Sequence, residues 1–292
     1  MNHYLIRLLT SIKTMLLPLN KKIPIYIPVY HNDLLKDRTA LITGGTSGIG
    51  FAIADRFLDS GATVIITGRD KSRLDHACKE LLKKHPYASI DRIFGVVMDV
   101  TDMKSIKKGW EEILKLTDKK IDILVNNAGV LSQVGFFDIR ESIDEEDFTR
   151  VMDTNVKGLY FLSRLVANYM IENRIHGNIL NIASSSSLRP AITPYSISKW
   201  ALRGFTLGLA KSLIKYGIVV NGLAPGPTAT PMLTKDTAVL NHPTSPSKRY
   251  ADPLEIANMA VILVSSLSRM IVGDIVYMTG GCGTITFDDI PY

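Results

Sequence analysis

The stretch "TALITGGTSGIG", residues 39–50, decides the fold. Thr39–Thr43 form a short unbroken β-rich run, and glycines follow at positions 44, 48 and 50. Glycine permits positive φ and lacks the Cβ that would keep a phosphate from the backbone. A helix beginning near Gly48 would face such an anion with free N–H groups and the positive end of its dipole. A glycine-rich turn alone is weak evidence, and one between the first strand and helix of an alternating pattern is much stronger. That alternation continues. Runs at Thr63–Thr67, Ile93–Met98, Ile121–Val125, Asn178–Ala183, Val219–Leu223 and Ile275–Tyr277 are separated by helical stretches, and most are continuously apolar, as parallel strands covered on both faces are. The clearest helix is "ADPLEIANMAVILV", with Asp252 as N-cap, Pro253 at the first helical position and Glu255 completing a capping box. The expectation is one α/β domain over residues 37–292, a doubly wound parallel sheet of the Rossmann type.

The bulk numbers fit. The 292 residues are 46% hydrophobic and 21% charged, ordinary for a globular protein with a sizeable core. No run approaches the ~18 apolar residues of a membrane-spanning helix. Cys78 and Cys282 lie far apart without metal-ligand neighbours, which argues for a reducing, cytoplasmic setting and against a disulfide framework or a metal site. The net charge is +6; residues 1–40 carry Arg7, Lys13, Lys21, Lys22, Lys36 and Arg38 against Asp33 and Asp37, so six minus two leaves +4 of it there. No nucleic-acid motif or interleaving of cations with aromatics accompanies that charge, so nucleic acid is not an expected partner.

Residues 1–36 read as an arm. Leu5, Leu8, Leu9, Ile12, Leu16 and Leu19 share one helical stripe, and "KIPIYIPVY" alternates like an extended strand. The stripe lacks a small-residue cleavage site, so a secretory signal is not expected. The arm is expected to pack on its own domain or a partner subunit; contact of a basic amphipathic helix with a membrane surface is the alternative. The Pro- and Thr-rich piece of about residues 225–250 is long enough to be a substrate lid.

The second strand ends "VIITGRD". The position where NAD-binding sheets carry an acid for the adenosine ribose is Gly68, and Arg69 follows it. Arginine can grip a 2′-phosphate with several donors, so NADP(H) is expected over NAD(H), with nearby Asp70 tempering the preference. In "TPYSISKWALRGF", residues 193–205, Tyr195 and Lys199 stand at i and i+4 on a helix that Pro194 helps to start and that runs toward Tyr216. An ammonium near a phenol should lower its pKa and make it an acid–base catalyst.

Together these motifs resemble the short-chain dehydrogenase/reductase family, from about Asp37 to Gly281. "TGGTSGIG" matches the family's T-G-x-x-x-G-x-G, which implies cofactor contacts at Gly44, Thr46, Ser47, Gly48, Ile49 and Gly50. Asp99 and Val100 match the adenine contact, "NNAG" brings Asn127, Ala128 and Gly129, and "PGPTATPM" brings Pro225, Gly226 and Thr228 to the nicotinamide, with Thr230 as a second candidate. The resemblance implies a catalytic set of Tyr195, Lys199, Asn155 and a serine. Ser184 is the expected serine and Ser185 the alternative. It further implies proton exchange at Tyr195, a lowered phenol pKa and ribose binding through Lys199, a kinked helix and a proton path at Asn155, and a dimer or tetramer built on the helices near Asp144 and Tyr195. Leu188, Arg189 and Pro190 would line the substrate entrance, and Arg189 suggests an anionic or polyhydroxy substrate or else a solvated loop. The expected activity is NADP-dependent hydride transfer between cofactor and an alcohol/carbonyl pair. The rivals are a nucleotide-sugar epimerase or dehydratase of the same fold, whose G-x-x-G-x-x-G spacing is absent, and a non-catalytic NADP-binding regulator.

Overall fold

The computed structural model describes residues 33–86, 90–133, 144–234 and 236–285. The arm before Asp33 and the tail after Ile285 lie outside them.

Seven strands form one parallel sheet: β1 (Thr39–Thr43), β2 (Thr63–Gly68), β3 (Ile93–Val97), β4 (Ile123–Asn126), β5 (Asn178–Ile182), β6 (Val219–Pro225) and β7 (Ile275–Met278), ordered β3-β2-β1-β4-β5-β6-β7. Each expected strand is present within about two residues at either end, the usual fraying of element limits. Every residue of β1, β4 and β5 is buried, because helices cover both faces.

Those helices are α1 (Gly48–Asp59), α2 (Lys71–Lys84), α3 (Met103–Leu116), α4 (Asp144–Met152), α5 (Leu159–Glu172), α6 (Pro194–Leu213) and α7 (Pro253–Val264). The strand period of two sorts the core. Ala40 and Ile42 join Val64, Ile66, Phe57, Leu74 and Ala260 under α1, α2 and α7. Leu41 and Ile65 join Ile106, Ile113, Val166 and Leu213 under α3, α5 and α6. Leu35 is fully buried in the first cluster, and its N–H donates to the Ser60 carbonyl at 2.8 Å, so core packing starts just before residue 37.

Two helix starts carry a full capping box. Asp252 and Glu255 form the capping box of α7. At α6 the cap is Thr193, boxed with Ser196, and Pro194 takes the first helical position. The strand order reverses between β1 and β4, and in such sheets ligands bind in the crevice beyond the strand ends at that point.

Candidate active site

The crevice wall at β1 is backbone. Gly44 has φ +64°, and a Cβ there would stand 2.9 Å from Ala128 Cα. Gly50 lies against Asn127 and the Gly44 carbonyl with no room for a Cβ. Ser47, the N-cap of α1, makes no side-chain cap bond, and the first turn holds no acid. The first-turn N–H groups and the helix dipole are thus presented to an anion. Thr46 and Ile49 flank this turn, and the Thr46 methyl packs against Gly68.

The "NNAG" segment locks that loop. Thr43 Oγ1 accepts from the N–H groups of Asn127 and Ala128, both at 3.0 Å, and Asn127 Nδ2 donates to the carbonyls of Thr43 and Gly44 at 2.9 and 3.0 Å. Beneath it Asn126 Nδ2 donates to Ser163 Oγ and Asn181 Oδ1, and Asn181 Nδ2 donates to Thr206 Oγ1, a buried polar chain across β4, β5, α5 and α6.

At the β2 edge Arg69 is exposed. Asp70 is the N-cap of α2: its Oδ1 accepts from the Arg73 N–H and Ser72 Oγ, and these bonds hold its carboxyl below the usual range. Asp99 turns its carboxylate back onto Thr101 N and Oγ1. Buried Val100 presents its carbonyl to Gly158, where no Cβ would fit.

Gly158 ends a π-helical turn, Asp153–Gly158, between α4 and α5. Asn155 sits in this widened turn, 1% exposed. Its Oδ1 accepts from Val130 N at 2.9 Å, and its Nδ2 donates to the Val130 carbonyl and to Ser198 Oγ, both at 3.0 Å. Wide turns of this kind recur at functional sites.

On α6, Tyr195 and Lys199 face the same side. Lys199 Nζ is 5.6 Å from the Tyr195 ring centre and donates to the Ile182 carbonyl at 2.9 Å. The Ser184 hydroxyl bonds the Tyr195 phenol, whereas buried Ser185 opens the short helical turn Ser185–Leu188. Ser184, Tyr195 and Lys199 thus meet at one place, and a Cβ on Gly129 would be 3.3 Å from Asn155 Oδ1 and 3.8 Å from Lys199 Nζ.

The electrostatics differ from the sequence expectation. Burial raises the Tyr195 phenol above its ordinary value and outweighs the opposing Ser184 bond, and burial lowers Lys199 to about 8. In this pocket burial dominates the balance at Tyr195 and Lys199, because low polarity penalises both charged forms.

Two more expectations are refined. Thr228 is buried and gives its hydroxyl to the Gly226 carbonyl at 3.0 Å, whereas the Thr230 side chain packs over Gly48 at the start of α1. Gly226 is pressed against Thr279. Arg189 is neither solvated nor open at an entrance: it is 8% exposed, hydrogen-bonds Cys282, and takes the Trp200 indole N–H on its carbonyl at 2.6 Å.

Ser132 was not foreseen. Its Oγ accepts from the Tyr195 N–H at 2.8 Å, satisfying a first-turn donor of α6. The loop carrying it is pinned by Asp147 on Gln133 N and by Arg150 on the Leu131 carbonyl. No sequence signal marks a contact between positions 63 residues apart.

Comparison with known proteins agrees with this geometry. A family model described as short chain dehydrogenase matches residues 38–240. The 3-oxoacyl-[acyl-carrier-protein] reductase of Aquifex aeolicus is 36% identical over 256 residues, 85% of this chain and 98% of that protein. A 3alpha-hydroxysteroid dehydrogenase of Mediterraneibacter gnavus is 32% identical, covering 85% of this chain and 97% of its own. The crystal structure of 3-ketoacyl-(acyl-carrier-protein) reductase from Brucella melitensis complexed with NADH superposes with a TM-score of 0.74 at 30% identity, over 85% of this chain and 99% of that one. The chain belongs to the short-chain dehydrogenase/reductase family of nicotinamide-dependent oxidoreductases.

Proposed function

We propose that this oxidoreductase interconverts a carbonyl and an alcohol with NADP(H), using Tyr195 as its acid and base. The observation that carries the reading is the convergence of the Ser184 hydroxyl, the Tyr195 phenol and the Lys199 ammonium at the end of β5. The cradle at Gly44 and Gly50 and the uncapped start of α1 suit a pyrophosphate. Arg69 is exposed beside a glycine, and Asp70 is committed to capping, so the edge offers a cation to a 2′-phosphate.

The bound nicotinamide supplies the hydride, and the chain supplies position and the proton. Lys199, with its value near 8, is mainly charged at neutral pH, and the raised phenol keeps its proton. Tyr195 Oη therefore starts as a donor. During reduction it passes its proton to the carbonyl oxygen that the Ser184 hydroxyl also holds. The Lys199 charge stabilises the phenolate left behind, and Asn155, fixed on both sides by Val130, supports the path by which that phenolate recovers a proton. Apolar residues exposed on α4 and α6, Phe148, Ile197 and Trp200, support a dimer or tetramer through those helices. The two free thiols suit a reducing cytoplasm.

The test is a carbonyl screen read by NADPH absorbance, with Tyr195→Phe as control. NADPH-dependent turnover lost in the variant, with cofactor binding intact, supports the reading. Equal use of NADH removes the preference, and cofactor binding without turnover of any carbonyl removes the activity.

A further inference from the structure

The chain turns sharply after β7, and that turn touches two of the loops that frame the crevice. Its first residue, Thr279, lies against Gly226 in the segment after β6, where a Cβ would stand 2.7 Å from the Thr279 carbonyl oxygen. The turn is closed by the Cys282 N–H on the Thr279 carbonyl and the Thr284 N–H on the Gly281 carbonyl, both at 3.2 Å. Its far side meets Arg189. Cys282 is fully buried and hydrogen-bonds the Arg189 side chain. Gly283 has φ +75°, and a Cβ there would stand 3.0 Å from Arg189 Nε and 3.5 Å from the Ser185 carbonyl oxygen.

Arg189 ends the short segment that begins with Ser184. The Ser184 Oγ accepts from the Ser186 N–H at 3.1 Å, which takes up an acceptor side of the hydroxyl and leaves the rest of it for the Tyr195 phenol. The Ser187 Oγ donates to the Ser184 carbonyl at 2.7 Å. Helix α6 holds the segment from the other side: Arg203 Nη1 donates to the Ser187 carbonyl at 3.3 Å, and Trp200 to the Arg189 carbonyl. The Arg189 backbone is thus tied to the helix that carries Tyr195, and its side chain to the turn after β7. Burying a guanidinium is costly, and here its contacts join segments far apart in the chain.

We propose that Arg189 is a positioning residue. Clasped by the turn after β7, it sets the Ser184 hydroxyl against the Tyr195 phenol, so that one turn registers both the serine and the Gly226 loop. This rests on the proposed role of Ser184 in holding the substrate oxygen.

The experiment is steady-state reduction of the carbonyl found by the screen, at saturating NADPH, for single and double variants. Ser184→Ala is expected to lower kcat about 10²-fold. Arg189→Ala is expected to lower it about tenfold, with KM for NADPH within a factor of about two. The double variant Ser184→Ala/Arg189→Ala should be no slower than Ser184→Ala, because no hydroxyl is left to position. Gly283→Ala pushes on Arg189 from the turn and keeps the arginine; it should lower kcat about threefold, again with no further loss in the Ser184→Ala background, and it makes the same comparison if Arg189→Ala does not fold. Wild-type kcat in Arg189→Ala and Gly283→Ala, or losses that multiply with that of Ser184→Ala, overturns this inference and leaves the proposed function standing. Wild-type kcat in Ser184→Ala removes the role of Ser184, and the inference with it.

Discussion

The two halves of the crevice are made of different material. On the β1–β3 side the binding surface is backbone: glycines, free N–H groups and a helix dipole. On the β4–β6 side it is a set of side chains, the buried Asn155, Ser184 and Lys199 and the half-buried Tyr195, each held by at least one hydrogen bond. The first half is sensitive to added atoms, because a Cβ closes it. The second is sensitive to lost atoms, because buried polar groups left unpaired are costly. On the proposed function, the phosphate half would recognise a fixed charge, and the catalytic half would handle a charge that appears and disappears.

The largest effect should come from the catalytic half. Tyr195→Phe removes one oxygen and is expected to lower kcat by about 10³-fold with cofactor affinity within a factor of about two, measured by steady-state rates and NADPH fluorescence titration. Comparable loss of binding would erase the distinction between the halves. Next is a control outside the crevice. Asp55, 4% exposed on α1, bonds His85 at 2.7 Å and Lys84 at 2.6 Å; burial opposes its ionisation, and those bonds win and hold its carboxyl low. Asp55→Asn should cost about 3 kcal/mol at neutral pH, read from urea midpoints. Because the folded pKa is depressed, this contribution is full above the unfolded value near 4 and is lost as pH falls through the folded value, so the gap to wild type closes in acid.

Gly44→Ala should weaken cofactor binding by about tenfold or more, with kcat at saturation preserved, since it strains a positive-φ residue and pushes on Ala128. A kcat defect at saturating cofactor would show that the halves are not separable. Arg69→Ala should shift the NADPH-to-NADH ratio of kcat/KM by about tenfold, mostly through NADPH. The smallest effect belongs to Ser132→Ala. Freeing the Tyr195 N–H should lower kcat by about threefold with KM for cofactor unmoved, and Ser132→Thr should restore it. For reduction, the rate should fall as pH rises through about 8, where Lys199 loses the charge that stabilises the phenolate.

How much of this was legible follows the same division. The glycine turn and the buried strands are local patterns, so Thr39–Gly50 together with the alternation that follows it made the fold legible. The Asp252 cap of α7 was legible because all its parts lie within four residues. Tyr195 and Lys199 were readable because one helix carries both. The raised phenol was not, since burial depends on every neighbour and not on the nearest cation. Ser132, the Cys282 contact of Arg189 and the polar chain from Ser163 to Thr206 join distant positions, and each residue type is common in loops and cores. Thr193 as the cap of α6 could have been found, since Ser196 three residues later completes the box.

The widened turn at Asp153–Gly158 has a consequence for length variation in the chain. It holds a surplus residue, so a one-residue deletion there could be absorbed by tightening to ordinary helix. The helix would survive with the faces of α4 and α5 still in phase, because the wide turn already accommodates the extra residue. Asn155 would swing off Val130, and the sheet would stay as it is. A homologue shortened at this address would keep the fold and the glycine turn but lose the wide turn that places Asn155 for its proposed role.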